Sequence, residues 1–431
     1  MYADTTGWEC ASVTVPLDYG HPDGRQIQVS IGRRPAADPS QRIGSLVWLQ
    51  SMVPASSIGA GQIFGPTILR QFDLIGFDAR GIGTSEAVRC LDKRPALEHP
   101  YPRTAADLAA FEAAAKAVDV ACAQNSGWLL PYLGIENVAR DLDRIRGALG
   151  EDRITLAGNN WAGTLDAVYA DLFPSHVRAA VLGGPFLPGI DDEALLRAQA
   201  IASQAALNRF LSSCATDAGC AFHSGGRPRQ AFDAVMARLT RAPGAGLSER
   251  DAWLAVWLGL MGADSDLARA LAAAASGDYS ILKEMVDWSG LNDAAGMDQY
   301  DAYNCMDYAR GRTPQAYAEL AARLRQIAPD FGGMLAYGDF GCAYWPAPPN
   351  ATAGTLSAAG APPIVIVAAR DDPQTPYAWS VELSRQLPSA ALLTVESAAV
   401  STIYSDSQCA RQAVDHYLLT LEPPATGSSC R

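Results

Sequence analysis

The sequence predicts an α/β protein with a mostly parallel central sheet, helices on both faces and a helical insertion. Between residues 45 and 182, short β-type runs alternate with helical runs, an order that is typical of parallel sheets. Residues 188–350 then contain Ala- and Leu-rich helical runs without a convincing strand. We therefore predict a core built from residues 1–187 and 351–431, which is interrupted by a helical cap at 188–350.

The core elements are predicted from the spacing of apolar residues. Half-buried strands alternate polar and apolar side chains, whereas central parallel strands are almost continuously apolar. These rules predict strands at 25–31, 45–49, 72–78, 154–158, 177–182, 363–369 and 391–396. Helical spacing predicts core helices at 104–122, 136–149, 161–172 and 406–420.

The insertion is predicted from four helical runs, at 193–213, 228–241, 249–275 and 314–327. Aromatic residues in such helices either pack in a core or contact a ligand, and the sequence leaves both readings open. The residues concerned are Trp253, Trp257, Trp288 and Tyr303.

The composition excludes several classes of partner. The chain has 431 residues, a net charge of −13 and a pI near 4.8. This acidic balance argues against nucleic acid and anionic membrane surfaces as partners. No apolar run reaches the length of about 18 residues that a membrane-spanning helix needs. Neither a CxxC motif nor a Cys/His cluster occurs, so we expect no metal site and no cofactor.

Nine cysteines indicate disulfide bonds. Since pairing within exported proteins is common, we predict a secreted or cell-envelope protein whose signal peptide has been removed, because no basic and then apolar segment follows Met1. The alternative is a cytoplasmic protein with reduced, buried thiols. Local spacing suggests the pairs Cys214–Cys220, Cys305–Cys342, Cys409–Cys430 and Cys90–Cys122, with Cys10 left over.

A corner between a strand and a helix organises the predicted site. The β-type run from Ile154 stops at Gly158, a helical run begins near Trp161, and small residues lie around the turn. This resembles the strand–turn–helix corner that presents the nucleophile in α/β-hydrolases. Asn160 holds the presenting position. Asn tolerates the positive φ that such a corner requires, but its amide is not a nucleophile.

Further segments carry the same resemblance along residues 8–430. They are Val15-Pro16-Leu17-Asp18-Tyr19, residues 72–85, 141–146, 173–182 and 372–376, and the Cys409–Cys430 segment. Together they resemble secreted actinobacterial α/β-hydrolases of the tripeptidyl-aminopeptidase and proline-iminopeptidase-like family, which carry a helical cap. The resemblance implies the α/β-hydrolase fold and a Ser–Asp–His triad.

The resemblance places the triad serine at Asn160, the histidine near Val400 and the aspartate at Asp372. Only the aspartate is therefore expected to keep its residue type. Asp372 is interpreted either as a general acid or base, or as a carboxylate that accepts the N–H groups of its own turn. His223, from the insertion, is the one alternative base that we consider.

The family's Gly-rich oxyanion run follows the predicted strand at 45–49. Here that position holds Ser51-Met52-Val53-Pro54-Ala55 and no glycine. We expect Gln50, Ser51, Met52, Trp161 and Val400 to line the pocket, which Met52, Trp161 and Val400 make more apolar.

These replacements exclude an acyl-enzyme at Asn160, and we expect a non-hydrolytic enzyme with Asn160 and Asp372 as catalytic residues. Its expected reaction is cyclisation, isomerisation, epimerisation or addition–elimination of a hydrophobic or peptide-like small molecule in natural-product biosynthesis. The first alternative is a catalytically dead pseudo-hydrolase that binds a peptide or metabolite. The second is a residual peptidase or esterase whose nucleophile is Ser51, Ser56, Ser57 or Ser401.

Overall fold

The computed structural model describes residues 7–431 apart from 50–56, 62, 242–246, 292, 308–311, 351–353 and 426. Within these residues, nine strands form one sheet. The strands are β1 (Glu9–Pro16), β2 (Gln26–Arg34), β3 (Gly44–Leu49), β4 (Phe72–Phe77), β5 (Ile154–Asn159), β6 (Val177–Gly183), β7 (Ile364–Ala369), β8 (Ala390–Val395) and β9 (Ser429–Cys430).

The sheet has the order β1-β2-β4-β3-β5-β6-β7-β8-β9. Strands β1, β2 and β4 pair antiparallel, and every other neighbouring pair is parallel. The mostly parallel α/β-hydrolase architecture is therefore confirmed. β1 and β9 were not predicted, because β1 is largely exposed and β9 has only two residues.

Fourteen helices are seen in the described residues. They are α1 (Pro66–Gln71), α2 (Ala105–Ser126), α3 (Ile135–Ala148), α4 (Trp161–Leu172), α5 (Asp192–Thr216), α6 (Pro228–Arg241), α7 (Glu249–Gly259), α8 (Asp264–Ala275), α9 (Ser280–Ser289), α10 (Ala294–Asp307), α11 (Pro314–Ile327), α12 (Gly332–Tyr337), α13 (Tyr377–Gln386) and α14 (Gln408–Thr420).

The helices α5–α12 lie between β6 and β7, and we call this set the helical insertion. The core and cap boundaries stay a prediction. The single helical run predicted at 249–275 is wrong, because the structure divides it into α7 and α8. The chain turns at Gly262, whose φ of +118° is incompatible with a continuous helix.

The buried residues of the strands alternate between two hydrophobic clusters. Val47 and Leu156 pack on one face with α3 and α4, whereas Trp48 and Ala157 pack on the other face with α14. Because successive strand residues point to opposite faces, helices must cover both sides of the sheet. This arrangement fixes the corner between β5 and α4 within the core.

Three of the segments that carry the family resemblance meet at a buried ion pair. The guanidinium of Arg80 donates to both carboxylate oxygens of Asp141, at 2.7 and 2.6 Å, and the two side chains have no exposed surface. The hydroxyl of Tyr19 donates to the same carboxylate at 2.7 Å. These contacts hold the turn after β4 against α3.

Four disulfide bonds join the described cysteines, and all four predicted pairs are confirmed. They are Cys90–Cys122, Cys214–Cys220, Cys305–Cys342 and Cys409–Cys430. Cys10 is free and exposed. Across the described ranges, no helix is both long and apolar enough to cross a membrane.

Candidate active site

The corner after β5 has the backbone geometry of a nucleophile elbow. Asn160 has φ +53° and ψ −116°, and positive φ is uncommon outside glycine. The N–H of Asn160 donates to the carbonyl oxygen of Gly183 at 2.7 Å. The carbonyl oxygen of Asn160 accepts the N–H of Thr164 at 3.0 Å. A Cβ on Gly158 would lie 2.6 Å from the carbonyl carbon of Ala162. Glycine therefore permits the close approach of strand and helix.

The side chain of Asn160 is 9% exposed. Its Nδ2 is buried and donates no hydrogen bond to any described residue. A buried donor without an acceptor costs about 1–3 kcal/mol. The elbow therefore presents an unused amide donor where a serine hydrolase would present its nucleophile.

Asn160 and Trp161 line an open cavity of about 1060 Å³ between the elbow and the helical insertion. Segments that the sequence did not connect with the site form most of its wall. They are the chain at 92–98, part of α2, and the facing sides of α7, α10 and α12. The cavity extends well beyond the elbow, which is enough room for several residues of an extended peptide.

Trp161 connects the elbow to α10. Its Nε1–H donates to Oδ2 of Asp307 at 2.9 Å, and its ring meets the Tyr303 ring edge to face at 5.1 Å between centroids. The backbone N–H of Ile135 donates to Oδ1 of the same carboxylate at 2.8 Å. Two donors from different elements thus fix Asp307 beside the elbow, and both Asp307 and Tyr303 line the cavity.

The cavity is lined by more acidic than basic residues. Burial raises the pKa of Asp301, although Arg94 donates to this carboxylate at 2.6 Å. Asn304 donates to Asp339, and both residues lie in the wall. The acidic lining residues are Asp92, Glu98, Asp251, Asp293, Asp301, Asp307 and Asp339, against Lys93, Arg94 and Arg250.

Asp372 was predicted as a catalytic residue, but the structure does not place it in the cavity wall. It is 1% exposed, and its oxygens accept the N–H groups of Gln374, Thr375 and Ser401 at 2.6–2.8 Å, together with the Thr375 hydroxyl. Burial raises the pKa of Asp372. These contacts join Asp372 to its own turn, as in the alternative interpretation, and also to the loop after β8 that contains Ser401, and its catalytic role stays a prediction.

Val400 was predicted to line the pocket and does not. Its N–H donates to the carbonyl oxygen of Met261, so this loop is attached to the chain after α7. The predicted pocket residues Gln50, Ser51 and Met52 lie outside the described residues.

All five histidines are in the described part of the chain, and none lines the cavity. His223, the alternative base, is therefore not at the elbow. Ser401 is fully buried and its Oγ accepts the N–H of Ala369, which makes it a structural residue and not a nucleophile. Ser57 is likewise buried away from the cavity wall, whereas Ser51 and Ser56 are not among the described residues.

No cluster of three or more His, Cys, Asp or Glu side chains suited to a metal ion occurs within the described ranges. The residues that sequence reasoning missed are mainly on α10, which was not predicted as a helix. The helix lines the cavity with both apolar and polar residues, such as Met297 and Asn304, and buries polar residues such as Asp298 elsewhere, so the usual apolar stripe is obscured. The acidic and aromatic run from Asp298 to Asp307 was the available signal.

The sheet order, the elbow and the insertion define an α/β-hydrolase fold with a pocket at the usual corner. Comparison with known protein families agrees with this fold. The family model of the alpha/beta hydrolase fold matches residues 56–224, and the family model of TAP-like protein matches residues 328–430. The chain belongs to the TAP-like α/β-hydrolase family.

Three relatives illustrate the similarity. Serine protease Hip1 of Mycobacterium tuberculosis is 30% identical over 98% of this chain and 87% of its own length. Carboxylesterase B of the same species is 31% identical over 98% of this chain and 86% of its own. Tripeptidyl aminopeptidase of Streptomyces lividans is 28% identical over 98% of this chain and 83% of its own.

These relatives are named as hydrolases, so the expected non-hydrolytic tailoring function is wrong. The pseudo-hydrolase alternative gains no support from them either. The physical reason for the error is that an amide at the elbow excludes an acyl-enzyme but does not exclude attack by water. Loss of one route to hydrolysis is therefore no evidence for another reaction class.

Proposed function

We propose that the protein is a hydrolase that cleaves peptides with a free amino end and uses water as the attacking group. The single observation that carries this proposal is the unused Nδ2–H donor of Asn160, a buried group on an elbow residue that lines the cavity. Amide side chains of this kind hold the oxyanion of an acyl-transfer transition state in other hydrolases. The amide of Asn160 cannot attack a carbonyl carbon, but its N–H can polarise a carbonyl group by donating a hydrogen bond to the oxygen.

In the proposed reaction, the carbonyl oxygen of the ligand accepts the Nδ2–H of Asn160. Water forms the new bond to the carbonyl carbon, and the carboxylate of Asp307 takes one proton from it. The C–N bond then breaks, and the same proton passes to the leaving amine. Asp307 is assigned this role because its hydrogen bond from Trp161 holds it beside the elbow.

The net negative charge of the cavity lining favours a peptide with a free, positively charged amino end over a neutral ester. Seven acidic and three basic side chains line the cavity, so its field attracts an ammonium group. The relative named tripeptidyl aminopeptidase points to the same substrate class. We also infer an exported protein, because four disulfide bonds favour an oxidising compartment.

The test is release of p-nitroaniline from Ala-Ala-Phe-p-nitroanilide, together with hydrolysis of p-nitrophenyl butyrate. We expect turnover that Asn160→Ala lowers by about a hundredfold, as removal of one oxyanion donor does elsewhere. Asn208→Ala is the matched control, because Asn208 is exposed on α5 and does not line the cavity. It should keep the wild-type rate.

A fluorophosphonate probe should not label the protein, since the proposed reaction has no serine nucleophile. Hydrolysis that is equal in wild type and Asn160→Ala would refute the proposal and reveal a contaminating peptidase. Absence of turnover of both substrates, with all variants folded, would refute it as well.

A further inference from the structure

Arg250 has guanidinium donors that no described residue uses. Its guanidinium lines the cavity and makes no hydrogen bond to a described residue, and the only described carboxylate within ion-pair distance is Asp251, at 4.0 Å. Protein surrounds the group closely enough that burial lowers the pKa of Arg250, yet 39% of its side chain is accessible.

Other described arginines near the cavity are occupied. Arg94 donates to Asp298 and Asp301 at 2.6–3.1 Å, and Arg103 donates to Glu249. Arg80 is saturated by Asp141 and by backbone carbonyl groups. A guanidinium presents five donors in a planar fork that matches a carboxylate. Arg250 is therefore available for such a ligand, whereas these neighbours are not.

The backbone of α7 orients Arg250 toward the same space as the apolar wall. Arg250, Leu254 and Trp257 line the cavity and recur at helical spacing, so they lie on one face of α7. The N–H of Arg250 donates to the carbonyl oxygen of Glu98 at 3.1 Å, which fixes the start of this helix to the segment at 92–98. The guanidinium is thus held at one end of an apolar surface.

We propose that Arg250 binds the free carboxylate of the ligand, so that the cavity selects short peptides with an unblocked carboxyl end. This inference rests on the proposed function for the identity of the ligand as a peptide. The contact with Arg250 adds a second point of recognition besides Asn160. Because a peptide must reach both residues, the cavity would accept only a narrow range of peptide lengths. An apolar side chain of the peptide would lie along Leu254 and Trp257.

The test is calorimetric binding of Ala-Ala-Phe-Ala and of its carboxyl-terminal amide to the full chain at low salt. We expect the acid to bind about tenfold more tightly than the amide, the value of one charge-assisted contact in a partly enclosed site. In Arg250→Met this preference should disappear. Arg250→Lys should keep part of it, because the charge remains and the fork is lost.

Arg269→Met is the matched control, because it removes the same charge from an exposed position on α8 that does not line the cavity. It should keep the preference for the acid, and melting curves confirm that each variant is folded. Equal affinity of wild type for acid and amide would overturn the inference. The binding measurement does not depend on hydrolysis. A preference for the acid can therefore be found even if the protein does not cleave peptides, and peptide cleavage can be found even if there is no such preference.

Discussion

At the scale of single residues, the elbow brings together two side chains that have buried polar atoms without a partner among the described residues. Asn160 lines the cavity and has a buried Nδ2 donor, and Asp166 lies beneath the turn with two buried carboxylate oxygens; none of these atoms has a hydrogen-bond partner among the described residues. Asp166 is fully buried, and Oδ2 would lie 2.8 Å from a Cβ on Gly158. Burial raises the pKa of Asp166 well above its usual value. Burial without a hydrogen-bond partner therefore favours the neutral acid at the point where α4 meets β5.

We expect the contribution of Asp166 to the stability of the protein to fall as the pH rises above about 4. The pKa of Asp166 is higher in the native state than in the unfolded state. Its stabilising contribution is therefore complete below the unfolded pKa, and it is lost as the pH rises toward the native pKa. Asp166→Asn keeps the shape but cannot ionise, so the melting temperature should differ less between pH 5 and pH 8. Asp119, whose pKa burial raises to about 7, acts in the same direction.

Thermal melts of wild type, Asp166→Asn and the exposed control Asp233→Asn measure this effect. The control should follow the wild type, since the Asp233 side chain is 60% accessible. Parallel pH profiles for wild type and Asp166→Asn would contradict the expectation.

At the scale of elements, the corner depends on backbone contact between a strand end and a helix start. Gly158 ends the apolar run of β5, and α4 begins three residues later at Trp161. The sequence indicated this turn, because small residues and an Asn tolerant of positive φ coincide there. It did not indicate α10, which supplies Tyr303 and Asp307. Those residues are separated from the elbow by more than 130 positions and meet it only in the folded chain.

Gly158→Ala should destabilise the protein by about 1–3 kcal/mol, because its Cβ would overlap the backbone of α4. Gly147→Ala is the control, since a Cβ at this position of α3 meets nothing within 4 Å. It should stabilise by roughly 0.5–1 kcal/mol, the usual gain of Ala over Gly in a helix. Urea unfolding measures both changes, and a Gly158→Ala variant as stable as wild type would show that strand and helix separate easily.

At the scale of the whole molecule, the cavity exists because the helical insertion closes over the corner of the sheet. The Cys305–Cys342 bond joins α10 to the chain beyond α12, and both segments contribute to the cavity wall. The insertion also has its own buried cluster around Phe210, Phe232 and Trp253. Trp253 packs in that cluster, whereas Trp257, Trp288 and Tyr303 line the cavity. The aromatic residues of the insertion therefore include one that packs in a core and three that are placed where a ligand would bind.

Replacing Cys305 and Cys342 together by Ala should lower the unfolding free energy by about 2–4 kcal/mol, because the unfolded chain loses a constraint. Cys10→Ser is the control and should have no effect, since Cys10 is unpaired and exposed. Denaturant unfolding without reductant gives both values. A double variant as stable as Cys10→Ser would argue that the insertion is held by packing alone.

The sequence by itself determined the fold class, the four disulfide pairs and the strand–helix corner at Asn160. Each of these depends on local spacing or on the chemistry of one residue type. Only the tertiary structure shows that Asp372 accepts hydrogen bonds from its own turn and from the loop after β8, and that Asp307 and Arg250 line the cavity. Such assignments depend on which distant segments touch, and apolar periodicity carries no information about the partner of a buried polar group.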